Sequence, residues 1–397
     1  IMRFISIFLL VHITKAIVLS DARSKRDDIN SLDIGDYPRN SFHSVDVEES
    51  NTAEWTYAML RESVNSMAAK QGYKYNTYMD ASVFESIRAH AGLYRDKAAH
   101  PEFAKTVLVT SGNIAYIEMI RNWQCHADAL GLDYVIIALD QETYDVLGPD
   151  KSVLVHGTQV QSAEGFRSPN FNIMTCNKIK MVQEILLETG LDVVFSDCDN
   201  VFKKDPFSIG VDLGDKMRED TYHYIYQQNH PHCPKADDIH GFMDEGNTGF
   251  YFISGRHSSV AVQHLMLSAL QQCELEPGLD DQENFWRAMR QIRGGNASRY
   301  GPNGFECANL CGQGAVLRDV RSSESHACHA DPQNVLNYCE MDPFVHMTRF
   351  WCDDDIPKNM VSYHANFVNG IDAKKRQVHD VGLWWLEPEG KHCLKAT

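Results

Sequence analysis

The stretch from residue 191 to residue 202 constrains the fold more than any other part of this chain. Residues 192–196 are predicted to form a short, almost wholly apolar strand, which must be covered on both faces, as in a parallel sheet between helices. Asp197-Cys198-Asp199 follows at its carboxyl end, where open α/β sheets bind their ligands. Because residues two apart in an extended chain share a face, Asp197 and Asp199 are expected to point the same way.

Two carboxylates placed side by side repel one another unless a cation lies between them, and a hard divalent ion with oxygen ligands suits such a pair. The stretch therefore predicts a metal site that can hold a diphosphate. An isolated Asp-x-Asp is common by chance, and its alternative interpretation is a solvated turn at the end of a strand. The apolar strand before it and Lys203-Lys204-Asp205-Pro206 after it favour the metal site.

Composition limits the classes of function. The chain has 397 residues, of which 43% are hydrophobic and 23% charged, as expected of a globular protein with a substantial core. Its formal net charge of -17, without a basic cluster in the sequence to offset it, argues against the binding of nucleic acid. An anionic substrate would need local cations, which agrees with a metal site.

The amino-terminal part carries targeting and packing features rather than chemistry. A basic start and an apolar run of about eleven residues, interrupted by Lys15, are typical of a secretory signal peptide over residues 1–20, with a short signal-anchor as the alternative. Residues 21–52 are predicted as a polar stem or linker, and residues 53–104 as a helical extension with helices over 53–72 and 79–97. This start predicts the Golgi lumen or the secretory pathway, with a membrane tether if an anchor is retained and secretion if the signal is cleaved.

From residue 105 the pattern becomes one of alternating strands and helices. The first strand, helix and second strand have the lengths of a parallel β-α-β crossover. The helix that leads into residues 192–196 ends at Gly190, a residue favoured in C-caps. Strands are predicted over residues 106–110, 133–139, 152–155, 222–227 and 249–254, and helices over 114–130, 177–188, 258–273 and 281–292. The sequence has no phosphate-binding glycine loop, so phosphates must be held by other groups.

Cysteine usage agrees with the secretory pathway. Of the eleven cysteines, five lie between residues 307 and 352, in a segment predicted to be rich in loops. Behind a signal peptide, disulfides are expected, and a zinc site with His326 and His329 is the less favoured alternative. The odd count leaves at least one cysteine unpaired or bonded to another chain. Cys198 is expected to be a free thiol, buried on the opposite side of the strand from the two aspartates.

An ordered set of short motifs carries a family resemblance. Its members are Asn122-Trp123, Ala138-Leu139-Asp140, the stretch 193–206, Asn247-Thr248-Gly249-Phe250-Tyr251-Phe252, Asp281-Gln282 with Asn284, and His364-Ala365-Asn366 with Gly370 and Lys374. Over residues 105–386 the chain resembles the nucleotide-diphospho-sugar transferases, which include plant cell-wall α-xylosyltransferases and are more distantly related to glycogenin-like transferases. The resemblance implies the GT-A fold for residues 105–397, an α/β fold with a mostly parallel central sheet between helices. The cysteine-rich insert at 307–352 has no counterpart in it and is predicted to shape the acceptor side.

For the metal site the resemblance implies three ligands, Asp197, Asp199 and His364, around a Mn²⁺ or Mg²⁺ ion that bridges the two phosphates of a UDP-sugar. Lys374 is implied to contact the diphosphate. Metal and lysine would stabilise the transition state more than the ground state, because the leaving group gains negative charge as the glycosidic bond breaks. Taken alone, His364 would be interpreted as a structural histidine and Lys374 as a solvated lysine.

The resemblance also implies roles on the donor side. The residues assigned to the nucleotide-sugar are Thr110, Asp140, Asn247, Thr248 and Gly249, and those assigned to catalysis are Asp281 and Gln282. Retaining transferases of this kind lack an obvious covalent nucleophile, so the catalytic pair is expected to position the sugar and to help electrostatically. The alternative interpretation of Gly249 is a bulge before the strand, and that of Asp281 is a helix cap. Lys178 and Lys180 are expected near a helix start, with solvated side chains as the default interpretation and contact with the anionic ligand as the alternative.

These features predict a metal-dependent glycosyltransferase that moves a sugar from a UDP-sugar to a glycan or glycoprotein acceptor, with retention of configuration. The main alternative is a haloacid-dehalogenase-like phosphatase, because residues 197–201 match its Asp-x-Asp-x-Val signature, with Asp197 as nucleophile and Asp199 as acid/base. That signature normally lies on the first strand of its domain, whereas a β-α-β unit precedes it here. A catalytically inactive, secreted binding protein is the third possibility.

Overall fold

A computed structural model of the chain describes residues 78–155, 168–229, 246–255, 260–292, 308–313, 316–319, 335–343, 345–348 and 358–394, together with positions 62, 65, 66, 69 and 162. The predicted signal segment at 1–20 and the stem at 21–52 lie outside the described residues, and the division of the chain near residue 105 stays a prediction. Within the described ranges, none of the helices combines the length and the apolar composition that a membrane crossing requires.

Helices and strands alternate along most of the described chain. The helices are α1 (Ala81–Ala89), α2 (Ile117–Ala129), α3 (Gln141–Leu147), α4 (Pro169–Thr189), α5 (Asp212–Arg218), α6 (Val260–Leu275), α7 (Asp281–Ile292) and α8 (Ile371–Asp380). The strands are β1 (Thr106–Gly112), β2 (Val135–Ala138), β3 (Ser152–Leu154), β4 (Asp192–Ser196), β5 (Asn200–Phe202), β6 (Tyr224–Gln228), β7 (Gly246–Ile253), β8 (Ala308–Gln313), β9 (Val316–Asp319), β10 (Val335–Glu340), β11 (His346–Thr348) and β12 (Ser362–His364). The elements predicted between residues 105 and 292 are all present.

The central sheet has the strand order β3-β2-β1-β4-β7-β6-β10-β8-β9. Strands β3, β2, β1 and β4 are parallel neighbours, β7 runs antiparallel to both β4 and β6, and β10 is parallel to β6. The chain adds β2 and β3 on one side of β1 and then places β4 on the other side. A topological switch point therefore lies between β1 and β4, and open α/β sheets bind ligands outside the carboxyl ends of the strands at such points.

Strand β4 is covered on both faces, as its apolar composition predicts. Val193 and Phe195 belong to the core that includes residues of α4, α6 and α7, whereas Val194 belongs to the core that includes residues of α2. All three side chains are 0% exposed. Burial of an apolar side chain of this size contributes about 1.5–3 kcal/mol, so the strand that carries Asp197 at its end is firmly anchored.

A second, three-stranded sheet brings a distant segment to the end of β4. Its order is β11-β12-β5, with β12 antiparallel to β5 and parallel to β11. The register pairs His364 with Asn200, and Ala365 N donates a hydrogen bond of 3.0 Å to Asp199 O. The late histidine therefore lies beside the turn that follows β4.

Three parts of the prediction need correction. Helix α4 begins at Pro169 rather than near residue 177, because Ser168 caps it by accepting a hydrogen bond from Phe171 N (3.1 Å) and proline favours the first turn. The helix predicted over 79–97 ends at Ala89, shortly before Gly92 adopts a left-handed φ of 106°. The segment 307–352 was expected to be rich in loops, but it contributes β8 to β11, and β10 is paired within the central sheet.

The expected disulfides and the free thiol are confirmed. Cys125–Cys393 links α2 to the carboxyl-terminal segment, and Cys176–Cys273 links α4 to α6. Cys339 is also disulfide-bonded. Cys198 is free and buried, and it packs in the same core as Val194, on the α2 side of the sheet.

Glu184 on α4 holds the start of α1. Its carboxylate accepts hydrogen bonds from Tyr78 N (2.5 Å) and Met79 N (2.8 Å), and the residue is 0% exposed. Burial raises the pKa of Glu184 to about 7, against the opposing effect of these two bonds. Because the folded state holds this proton more tightly than the unfolded chain, the stability it contributes is complete below a pH of about 4.3 and is lost as the pH rises through the folded pKa.

We expect this single group to lower the free energy of unfolding by on the order of 3 kcal/mol as the pH rises from about 4.5 to about 8. Glu184→Gln should remove this contribution to the slope of the free energy of unfolding against pH. Denaturant unfolding across this pH range is the measurement. Glu85→Gln is the control, because the Glu85 side chain on α1 is 77% exposed and should leave the slope unchanged. An equal slope in the wild type and in Glu184→Gln would contradict the assignment.

Candidate active site

The two aspartates of the first motif lie in a turn and not on an extended strand. Strand β4 ends at Ser196, and the turn is closed by a hydrogen bond of 3.0 Å from Asn200 N to Asp197 O. The expectation that the two side chains share a face of an extended chain was therefore wrong. The turn nevertheless brings the carboxylates together, and with His364 each offers a ligand atom within 4.8 Å of the others.

These three side chains fit a metal ion. His364 Nε2 lies 3.2 Å from Asp199 Oδ1, and on the other side of the ring His364 Nδ1 lies 3.0 Å from Gln227 Oε1. Asp199 and His364 are 4% and 3% exposed, and the side chain of Asp197 is 27% exposed, so two of the three side chains are buried and Asp197 is the most accessible to solvent. Two carboxylates and an imidazole are a donor set that divalent ions accept.

Two lysines offset part of the negative charge of the carboxylates. Lys374 Nζ forms an ion pair with Asp199 Oδ2, and Lys178 Nζ lies 3.1 Å from Asp197 Oδ1 and 3.1 Å from Asp281 Oδ2. Burial alone would raise the pKa of Asp199, but the charge of the neighbouring Lys374 holds it well below its usual range. Burial likewise opposes the charge of Lys178, yet Asp197 and Asp281 outweigh it and raise the pKa of Lys178. Asp199, Lys178 and Lys374 are therefore stabilised in their charged forms by oppositely charged neighbours.

Asp281 faces the site because its neighbour caps the helix. Asp280 Oδ1 accepts a hydrogen bond of 2.9 Å from Glu283 N at the start of α7, which is the capping contact that Asp281 could have made. Asp281 Oδ2 instead accepts a hydrogen bond of 2.9 Å from Thr248 Oγ1, in addition to its contact with Lys178. Gln282 follows at the second position of the helix and is partly exposed.

Gly249 lies against two of the three candidate ligands. A Cβ atom at this position would be 2.4 Å from His364 Cε1 and 2.6 Å from Asp197 Oδ2. The backbone is held in place, since Gly249 O accepts from Asp197 N (2.6 Å) and Gly249 N donates to Asn247 Oδ1 (2.7 Å). The β6–β7 register also shifts here, so the bulge and the close approach are both present.

Thr110 lies in β1, two residues before its carboxyl end, and Asp140 lies two residues beyond the end of β2; both are 0% exposed. Asp140 caps α3 by accepting a hydrogen bond from Thr143 N (2.7 Å), and its other oxygen accepts from Ile114 N (2.8 Å). Thr110 Oγ1 is buried without a hydrogen-bond partner among the described residues. The roles assigned to these two residues in binding a nucleotide-sugar stay predictions, as do those of Asn247, Thr248, Gly249, Asp281 and Gln282.

Two residues of the site were missed by the sequence analysis. Lys178 was expected to be solvated near a helix start, but α4 starts at Pro169, which puts Lys178 inside the helix with only 12% of its side chain exposed. The Ser168-Pro169 pair could have revealed this. Gln227 was not considered, and its contact with His364 has no local sequence signature. Lys180 lies over the ring of Tyr78, at 5.3 Å from the ring centroid.

Comparison with known proteins defines the class of this site. The family model for nucleotide-diphospho-sugar transferases matches residues 132–377, more than half of the chain. The chain belongs to the nucleotide-diphospho-sugar transferase family and is a glycosyltransferase. The observed α/β architecture, with a central sheet between helices, agrees with the predicted fold class. The family match also decides against the phosphatase alternative.

Similar solved structures are distant in sequence. They include the glycosyltransferase GlyE of Streptococcus pneumoniae TIGR4 (14% identity, 47% of this chain and 43% of that chain, TM-score 0.31). An active-site mutant of LgtC is 13% identical over 60% of this chain and 89% of that chain, with a TM-score of 0.32. The galactosyltransferase LgtC in complex with donor and acceptor sugar analogues is 13% identical over 71% of this chain and 97% of that chain, with a TM-score of 0.33. The alignment thus spans less than half of the length of GlyE. Curated proteins give no match.

Proposed function

We propose that the protein transfers a sugar from a UDP-sugar to a glycan or glycoprotein acceptor, in a reaction that depends on Mn²⁺ or Mg²⁺ and retains the anomeric configuration. One observation carries the proposal: Asp197, Asp199 and His364 offer ligand atoms within 4.8 Å of one another in a member of this transferase family. A divalent ion bound there supplies positive charge for the diphosphate of the donor. Asp197 is the most exposed of the three and so the most accessible to an incoming donor.

The lysines and Asp281 support the same chemistry. Three carboxylates and two lysines leave the site negative, so it requires added positive charge before it can receive an anionic donor. Lys374 stabilises the charge that develops on the leaving diphosphate, because its ammonium group lies beside Asp199. Asp281 positions the donor sugar with Thr248 and Gln282, since Lys178 and Thr248 hold its Oδ2 oxygen in place. As the family resemblance implies, it is assigned no covalent attack.

The secretory pathway, and the Golgi lumen in particular, is proposed as the location. Disulfides persist in oxidising compartments, and the described residues contain Cys125–Cys393 and Cys176–Cys273. The tether or cleaved signal predicted at residues 1–20 belongs to this proposal.

A panel of UDP-sugars, each with Mn²⁺ and with EDTA, tests the function. We expect one donor to stabilise the protein by about 2.7 kcal/mol at a hundred times its Kd, only when metal is present, and to release UDP when an acceptor is added. Binding of the donor in EDTA would contradict the metal dependence. Release of phosphate from simple monoesters, abolished by Asp197→Asn, would restore the phosphatase alternative. Donor binding without turnover with any acceptor would favour the inactive binding protein.

A further inference from the structure

Gln227, the fourth residue of β6, links the two sheets at the candidate metal site. Its side chain is 0% exposed and lies between β11 and β12. The amide nitrogen donates hydrogen bonds to His346 O (3.2 Å) and Met347 O (3.1 Å), and the amide oxygen lies 3.0 Å from His364 Nδ1. Every polar atom of the amide therefore has a partner in one fixed arrangement.

The two carbonyl groups decide which way the amide points. Carbonyl oxygens only accept hydrogen bonds, so the NH₂ group must face His346 and Met347, and the amide oxygen must face the histidine ring. Because an amide oxygen only accepts, His364 Nδ1 must carry a proton. In a neutral imidazole the other nitrogen, Nε2, then has a free lone pair. That nitrogen is the one that lies 3.2 Å from Asp199 Oδ1.

This arrangement prepares Nε2 to bind a cation. A lone pair and a carboxylate oxygen at this distance repel one another unless a positive charge lies between them. Strands β11 and β12 are parallel neighbours, with Thr348 paired with His364, so the same small sheet carries the carbonyl groups that orient Gln227 and the histidine that Gln227 orients. Partners of this kind on the far nitrogen of a metal-binding histidine set its tautomer and its basicity.

We propose that Gln227 is a positioning residue that selects the Nδ1-protonated tautomer of His364 and thereby sets the affinity of the site for its divalent ion. The inference rests on the proposed metal-dependent function. It adds a residue that touches neither the ion nor the sugar and acts only through His364.

Titration of the full chain with Mn²⁺ alone, followed by electron paramagnetic resonance, tests the proposal. Gln227→Met keeps the volume of the side chain and removes the acceptor, and we expect it to raise the Kd for Mn²⁺ by about 10- to 100-fold. Gln228→Met is the matched control, because Gln228 is the next residue, is 1% exposed and donates to Glu340 Oε2 (3.2 Å) instead. Its Kd should equal that of the wild type. Thermal unfolding in EDTA checks that both variants fold.

Gln227→Glu provides a partial rescue in its protonated form, since one carboxyl oxygen can accept from His364 Nδ1 while the O–H group donates to one of the two carbonyl oxygens. We expect its Kd to lie closer to the wild type than that of Gln227→Met. Nitrogen NMR of ¹⁵N-histidine-labelled protein in EDTA reports the tautomer directly, with His364→Gln used to assign the resonance. An Nε2-protonated His364 in the wild type would overturn the inference, as would an unchanged Kd in Gln227→Met. A wild type that does not bind Mn²⁺ while showing the Nδ1-protonated tautomer would instead overturn the proposed function.

Discussion

Asp199→Asn is expected to lower kcat/KM by about a hundredfold to a thousandfold, with a parallel loss of Mn²⁺ affinity, because it removes the carboxylate nearest to His364 and Lys374. Asparagine keeps the shape of the side chain and removes only its charge. Steady-state kinetics and Mn²⁺ titration are the measurements. Asp145→Asn, on the exposed face of α3, should change neither quantity.

Asp199→Asn should also lower the free energy of unfolding, and a double variant can separate this loss of charge pairing from the loss of catalysis. Asp199→Asn leaves the Lys374 ammonium without its partner. We expect the free energy of unfolding in EDTA to fall by about 2 kcal/mol, less than for a fully buried pair because 22% of the Lys374 side chain is exposed. The double variant Asp199→Asn with Lys374→Met should recover most of this stability and none of the turnover. Full activity in Asp199→Asn would remove the metal assignment altogether.

Gly249→Ala is expected to abolish turnover and to weaken Mn²⁺ binding by at least about tenfold, although it adds a single methyl group. That methyl group would overlap His364 Cε1 and Asp197 Oδ2, and the backbone cannot retreat without breaking the hydrogen bond from Asp197 N to Gly249 O. We also expect the free energy of unfolding to fall by about 1–3 kcal/mol, as for other overpacked sites.

Gly278→Ala is the matched control for this change. A Cβ atom at Gly278 would have no neighbour within 4 Å among the described residues, so the same substitution there should preserve both metal affinity and turnover. Retained Mn²⁺ affinity in Gly249→Ala would show that the ligands are free to move apart and would contradict the close packing described here.

The sequence by itself determined the features that depend on neighbouring residues. The apolar run at 192–196 predicted a strand buried on both faces, and β4 has those bounds, with Cys198 free and buried just beyond it. Gly190 predicted the end of α4, and it adopts a left-handed φ of 67°. Periodicity and capping act over a few residues, so they can be recognised without the fold. The family resemblance supplied the distant partner His364.

Only the tertiary structure decided which side chains meet at the site. Lys178 became part of it because the earlier start of α4 places it beside Asp197, and Asp281 became available because Asp280 took the cap. The contact of Gln227 with His364 depends on the pairing of β12 with β5 and β11. The register between strands that are far apart in the chain is set by packing of the whole sheet, so no local pattern records it.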